Sequence, residues 1–438
     1  MKPRQPARRA RCQAGRVKRP DDVERDNLKE ASLPATHLSC TRCGTELPLE
    51  GVGACPRCFG PLEPVYDADE LRSNFTREHI AAGPPSLWRY APLLPVETPA
   101  DPQLAPGLTP LVPAPRLAEE LGLDDLYLKL DTANPTHSFK DRVVAVACAK
   151  AQELGLDTLA CSSTGNLANA VAARAAAEGL DAVVFCPYDL EREKLVATAA
   201  YGATIYAVRG TYDDCSRLTV ELSFELPWGF VNVGLRSYYA EASKTIAYEV
   251  AEQLGWELPD VVACPIASGS LFSKVDQGFR DVHGLGLVDG PAPRLVGGQA
   301  AGCAPVASAF AEERPVKPIR PSTIARSLAI GAPADGERAI AAVRASGGAI
   351  HAVAEDQIGV NMALLAETTG VFGETAAGVT LGALREAIRR GEVGPGDRVV
   401  LLVTGDGLKT PGPVADRFAP IEIAADADAL LAELGATV

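Results

Sequence analysis

Short apolar runs alternate with longer helical patterns from Pro115 to the end of the chain, and that alternation restricts the fold more than any other feature. Strands are expected at 126–130, 158–161, 182–186, 204–208, 229–233, 261–266, 294–298 and 398–404. Helices are expected at 143–154, 167–178, 190–201, 240–254, 362–369 and 380–390. Strands that alternate with helices form parallel sheets covered on both faces, so the fold class is α/β. In such sheets ligands bind beyond the carboxyl ends of the strands. Four turns in that position carry reactive or anion-binding residue types.

The first turn is Asn134-Pro135-Thr136-His137-Ser138-Phe139-Lys140-Asp141-Arg142, between a strand and a helix. A lysine at the mouth of such a turn lies near the positive end of the helix dipole. Its amine, when neutral, condenses with an aldehyde. The second is Ser162-Ser163-Thr164-Gly165-Asn166, which enters an Ala-rich helix. Its hydroxyls and amides suit an anion, although a plain helix cap explains Ser and Asn equally well. The third, Ile266-Ala267-Ser268-Gly269-Ser270-Leu271, offers consecutive backbone amides as a phosphate cradle. The fourth is Thr404-Gly405-Asp406-Gly407-Leu408-Lys409, where a hydroxyl at a strand end can meet a ring nitrogen; a simple two-glycine turn is the alternative.

Upstream, Cys40-Thr41-Arg42-Cys43 and Cys55-Pro56-Arg57-Cys58 are two CxxC knuckles with eleven residues between them. Four thiolates at that spacing close a tetrahedral shell, which predicts a structural zinc ribbon on Cys40, Cys43, Cys55 and Cys58. The other seven of the eleven cysteines are scattered and mostly in apolar contexts, as expected of buried thiols in a reducing cytoplasm.

The chain has 438 residues and a net charge of −14, with eight basic and no acidic residues among the first twenty. The acidic remainder argues against nucleic acid as the main partner. No apolar run is long enough for a membrane span. The Arg-rich start lacks the apolar core of a secretory signal and reads as a disordered extension, with a transit peptide as the alternative. The expected organisation is a basic extension at 1–37, a ribbon-like module at 38–66, a linker wrapping the surface at 67–115, and a body of two interleaved α/β domains at 116–438.

Taken together, a reactive lysine, an amide, a phosphate cradle and a hydroxyl describe a seat for pyridoxal phosphate. The segments 134–142, 163–166 and 404–409 resemble threonine synthases, of the fold-type II pyridoxal-phosphate enzymes, in order and spacing across roughly 109–413. The resemblance implies a tryptophan synthase β-like fold with two sheet domains of parallel or mixed strands. It implies that Lys140 is the catalytic, cofactor-bearing lysine, that Asn166 faces the cofactor's 3′-oxygen and Thr404 its ring nitrogen, that Phe139 packs nearby, and that Ala267, Ser268, Gly269, Ser270 and Leu271 hold its phosphate. Ser163, Thr164, Arg236, Lys244 and His137 would contact the substrate, an amino-acid phosphate ester. The implied activity converts O-phospho-L-homoserine and water to L-threonine and phosphate. The alternative is another elimination or replacement enzyme of this group, a phosphoserine-type synthase or a threonine or serine dehydratase. Two departures stand out. His137 occupies a position that is commonly Gly, and Tyr239 falls where relatives often place an arginine for the substrate phosphate. Homodimers are common among such enzymes, so a dimer is expected.

Overall fold

The computed structural model describes residues 35–50, 53–99, 102–163, 165–189 and 192–434. Most of the basic extension, residues 1–34, and Thr164 lie outside them. The described part begins with a three-stranded antiparallel sheet in the order β2-β1-β3, made of β1 (Ala35–Cys40), β2 (Glu46–Leu47) and β3 (Leu62–Tyr66). Its first strand starts three residues before the expected beginning of the cysteine module.

The stretch expected to be a linker folds instead into helical segments at Ala68–Asn74, Arg77–Ala82 and Leu87–Leu93. Leu87, Trp88 and Tyr90 within it are buried. Proline density hid this, because Pro84, Pro85 and Pro92 punctuate the segment while the large apolar side chains between them fill the core.

The body holds two sheets. One is six-stranded, in the order β12-β11-β10-β13-β5-β4. Its members are β4 (Leu111–Pro113), β5 (Asp125–Leu130), β10 (Val261–Pro265), β11 (Arg294–Ala300), β12 (Ala349–Val353) and β13 (Arg398–Val403). All its pairs are parallel except β4 with β5. The other, β8-β7-β6-β9, is wholly parallel. It contains β6 (Thr158–Ser162), β7 (Asp181–Pro187), β8 (Thr204–Val208) and β9 (Gly229–Phe230). These four strands fall in sequence between β5 and β10. Every residue of β6 and of β10 is buried, as strands covered on both faces require.

Seven of the eight expected strands match within two residues at each end. The expected strand at 229–233 shortens to two residues, because Asn232 to Leu235 turn into the next helix. β4 and β12 were not expected, nor were helices such as Pro115–Leu121, Tyr212–Leu222, Ser270–Gly284, Pro305–Ala311 and Gly336–Ser346. The expected helix 240–254 begins earlier and is broken: Arg236–Glu241 and Thr245–Gln253 flank a tighter turn at Ala242–Lys244. The helices Glu355–Thr369 and Thr375–Arg389 also begin earlier than expected.

Candidate active site

The carboxyl ends of β5, β6, β10 and β13 lead into the four turns selected above. After β5, the chain makes a tight turn and enters the helix Lys140–Glu153, of which Lys140 is the first residue. The neighbours of Lys140 in its segment act as scaffold. Asp141 accepts from the Thr136 backbone N–H at 2.8 Å and from its hydroxyl at 2.9 Å. Asn134 donates to the Asp131 carbonyl and accepts from the Gly107 N–H. Arg142 is fully buried, with Asp131 at 2.8 Å and Glu249 as carboxylate partners, and Thr109 and Thr245 fill its remaining donors. Breaking such a buried, fully paired charge is costly, so the turn carrying Lys140 is held firmly. His137 adopts φ +61°, the left-handed region that glycine enters most easily. Its exposed ring meets the Thr132 carbonyl at 3.2 Å.

Lys140 is half-buried. Its Nζ donates to the Tyr239 hydroxyl at 2.6 Å. The ammonium lies 4.4 Å from the Phe139 ring centroid and 5.3 Å from that of Tyr239. Tyr239 was anticipated only as a missing arginine, and no sequence signal linked it to Lys140.

Thr404 follows β13 and is buried. Its carbonyl accepts from the Phe139 N–H at 3.0 Å, and Ser138 forms a bridge with Gly405. Thr404 and Lys140 are thereby stitched together through the backbone. The Thr404 hydroxyl makes no hydrogen bond among the described residues, and the buried Ser138 Oγ has no partner among them either. A Cβ on Gly405 would lie 2.2 Å from Glu374 Oε1, so a larger residue there would push the Glu374 side chain aside.

Asn166 is the first residue of the helix Asn166–Glu178. Its Nδ2 donates to Glu374 at 2.8 Å, and its Oδ1 accepts from Lys409 at 2.8 Å. Lys409 also donates to the Thr136 carbonyl. Burial pushes the Glu374 carboxyl up to about 7, only partly offset by Lys409, Asn166 and Lys140. Burial likewise lowers Lys409, against the pull of Glu374. Glu374 was not anticipated, since a lone Glu before a helix carries no motif. The preceding Ser163 caps the same helix, its Oγ accepting from the N–H groups of Gly165 and Ala168.

The turn after β10 leads into the helix Ser270–Gly284. Ser270 N–H donates to Ser268 Oγ at 3.4 Å. The amides of Ala267, Ser268, Gly269 and Leu271 donate to nothing among the described residues. Gly269 has φ +90°, and a Cβ there would meet the Asp335 carbonyl oxygen at 2.5 Å. Asp335 in turn pairs with Arg236 at 2.5 Å, which places that guanidinium beside the cradle. Lys244 is located elsewhere, fully buried against Glu241 at 2.7 Å and Asp281 at 3.0 Å. Burial works against its charge, but Asp281 and Glu241 outweigh burial and hold it well above the usual lysine range.

The four knuckle cysteines converge with their Sγ atoms within 4.8 Å of one another. The separations are 3.5 Å for Cys40–Cys58, 3.6 Å for Cys43–Cys55 and 3.3 Å for Cys43–Cys58. A tetrahedral zinc with bonds of about 2.3 Å needs edges of about 3.8 Å.

A family model described as pyridoxal-phosphate dependent enzyme matches residues 103–405. The chain belongs to that family. A threonine synthase of Methanosarcina acetivorans is 35% identical over 385 residues, covering 87% of this chain and 94% of its own. One from Methanocaldococcus jannaschii is 33% identical over 396 residues, covering 89% and 97%. Among solved structures, a fungal L-serine ammonia-lyase from Rhizomucor miehei superposes with a TM-score of 0.60 at 21% identity, over 70% of this chain and 96% of that one. Diaminopropionate ammonia lyase from Escherichia coli gives 0.60 at 19% identity, over 70% and 88%. These likenesses show the fold, which is that of fold-type II. As a pyridoxal-phosphate dependent enzyme, the chain has residues that fit the cofactor: uncommitted amides around Gly269, a Thr404 hydroxyl without a partner among the described residues, and Lys140, whose neighbour Phe139 bonds the Thr404 carbonyl. No helix among the described residues is long and apolar enough to cross a membrane.

Proposed function

We propose that the chain is a threonine synthase, converting O-phospho-L-homoserine and water to L-threonine and phosphate. The observation that carries this reading is identity of 33–35% with threonine synthases over nearly their whole lengths, together with the convergence of Lys140, Thr404 and Asn166 around one set of strand ends. Pyridoxal phosphate, when bound, supplies an aldehyde for an amine and a ring that accepts an electron pair from carbon.

In this reading Lys140 would hold the cofactor through Nζ, and its free amine would move protons at the substrate's Cα and Cβ. Asn166 faces the cofactor's 3′-oxygen, with Lys409 and Glu374 fixing its amide. The Thr404 hydroxyl would serve the ring nitrogen, and Phe139 would pack against the ring. The amides of Ala267 to Leu271 take the phosphate at the start of their helix. Ser163 and His137 would contact the substrate; Thr164, the other expected contact of this segment, lies outside the described residues. Arg236 serves the substrate phosphate from its seat beside Asp335. The Lys244 ammonium is committed to Glu241 and Asp281, so we assign it to the scaffold.

We also infer a structural zinc on Cys40, Cys43, Cys55 and Cys58. Four thiolates leave no coordination site for water, so its task is folding. The acidic charge and the buried thiols support a cytoplasmic enzyme without a nucleic-acid partner, and we read it as a homodimer.

The test is product analysis with the cofactor-loaded protein. Threonine and phosphate formed in equal amounts from O-phosphohomoserine are expected. No turnover of that ester, with keto acid formed from L-serine or L-threonine, would replace the reading with a dehydratase.

A further inference from the structure

One side chain without a role above touches the nitrogen that reacts. Tyr239 Oη lies 2.6 Å from Lys140 Nζ and accepts its hydrogen. A tyrosine hydroxyl also has one proton to donate, and that proton has no protein acceptor among the described residues. The tyrosine is firmly placed. It lies on the short helix Arg236–Glu241, where its neighbours are anchored on the cysteine module. Ser237 donates to the Leu62 carbonyl at 2.9 Å, and Tyr238 donates to the Glu50 carbonyl at 2.9 Å. Two residues further on, Glu241 is buried and accepts from Tyr66 at 2.9 Å. A hydroxyl held this way confines a lysine amine, whose four-carbon stem otherwise samples many rotamers. Confining a proton-transfer group to a productive position is a recognised source of rate.

We propose that Tyr239 is a catalytic partner of Lys140: its hydroxyl holds the amine of Lys140 in place whenever that amine is not bound covalently, so that the amine can move the substrate's Cα proton. This rests on the proposed function. No proton is gained or lost by Tyr239 in this role; it accepts a hydrogen bond from Nζ whenever the amine is free.

The test compares wild type with Tyr239→Phe, which keeps the ring and removes only the hydroxyl, and with Tyr238→Phe, which removes a hydroxyl bonded to the cysteine module. The readouts are borohydride trapping of pyridoxal phosphate with peptide mapping at Lys140, kcat and KM for O-phosphohomoserine, and the isotope effect with α-deuterated substrate. Tyr239→Phe should trap cofactor at Lys140 and keep KM within about threefold. Its kcat should fall by about ten- to a hundredfold, as expected for loss of one hydrogen bond to a reacting group, with a larger α-deuterium effect. Tyr238→Phe should lower Tm and leave the isotope effect unchanged. Wild-type rate and isotope effect in Tyr239→Phe would overturn the proposal, and so would a loss confined to folding or to cofactor uptake. Failure to trap cofactor at Lys140 in the wild type would instead overturn the reading of the site on which the proposal rests.

Discussion

Asn166 donates its amide hydrogen to Glu374 at 2.8 Å while its amide oxygen accepts from Lys409 at 2.8 Å. The amide thus has one orientation, imposed by a cation on one side and a buried carboxyl on the other. That matters for a residue proposed to meet a cofactor oxygen, because an amide free to flip offers donor and acceptor indiscriminately.

Glu374 makes the pair sensitive to pH. Its carboxyl is raised by burial from an ordinary 4.5 to about 7. The native state therefore holds a proton that the unfolded chain gives up. The resulting stability is fully present below the ordinary carboxyl range and is lost as pH rises through about 7. In cofactor-free protein, urea unfolding from about pH 5 to about pH 8 should show wild type losing stability relative to Glu374→Gln, by a few kcal/mol in total. Parallel curves for the two proteins would contradict this assignment.

Lys140→Ala should remove both turnover and borohydride-stable cofactor while leaving the Tm of the cofactor-free protein close to wild type. The side chain is half-buried and its only hydrogen bond among the described residues is to Tyr239, so little folding energy depends on it. Threonine formation at wild-type rate by this variant would contradict the site as proposed.

Gly269→Ala should loosen cofactor binding by at least about tenfold, measured by absorbance titration. The new methyl group would stand 2.5 Å from the Asp335 carbonyl oxygen at φ +90°. Either the loop moves or it stores strain of about 1–3 kcal/mol. An unchanged affinity would mean that the cradle lies elsewhere.

Cys40→Ser should release the metal and lower Tm by more than it lowers kcat. A zinc held by the four thiolates would tie the two knuckles together, and β3 would carry that order into the body. Glu63 pairs there with Lys274 at 2.9 Å and with Arg338, and Tyr66 bonds Glu241. Full metal content in the variant, measured by atomic emission, would count against a zinc site.

The strand ends were legible because parallel sheets leave two unambiguous marks, buried apolar runs such as Val399 to Val403 and small-residue turns beyond them. Lys140, Asn166, Thr404 and the 267–271 cradle all fall on those marks. Residues whose role depends on what folds against them were not legible. Lys244 reads as an available cation until Glu241 and Asp281 are brought to it. Tyr239 and Glu374 are separated from Lys140 by 99 and 234 positions, and each joins the site from a different helix terminus or short helix. The proline-studded stretch before Pro115 reads as a wrapping linker because the partners of Trp88 and Tyr90 lie far along the chain.

The most direct test of the account is the fate of oxygen when O-phosphohomoserine is turned over in water enriched in oxygen-18. The account predicts one heavy oxygen in threonine and none in the released phosphate, because the ester's own oxygen leaves with phosphorus and water adds at Cβ. Heavy oxygen in the phosphate, with homoserine as the product, would show simple ester hydrolysis and contradict it.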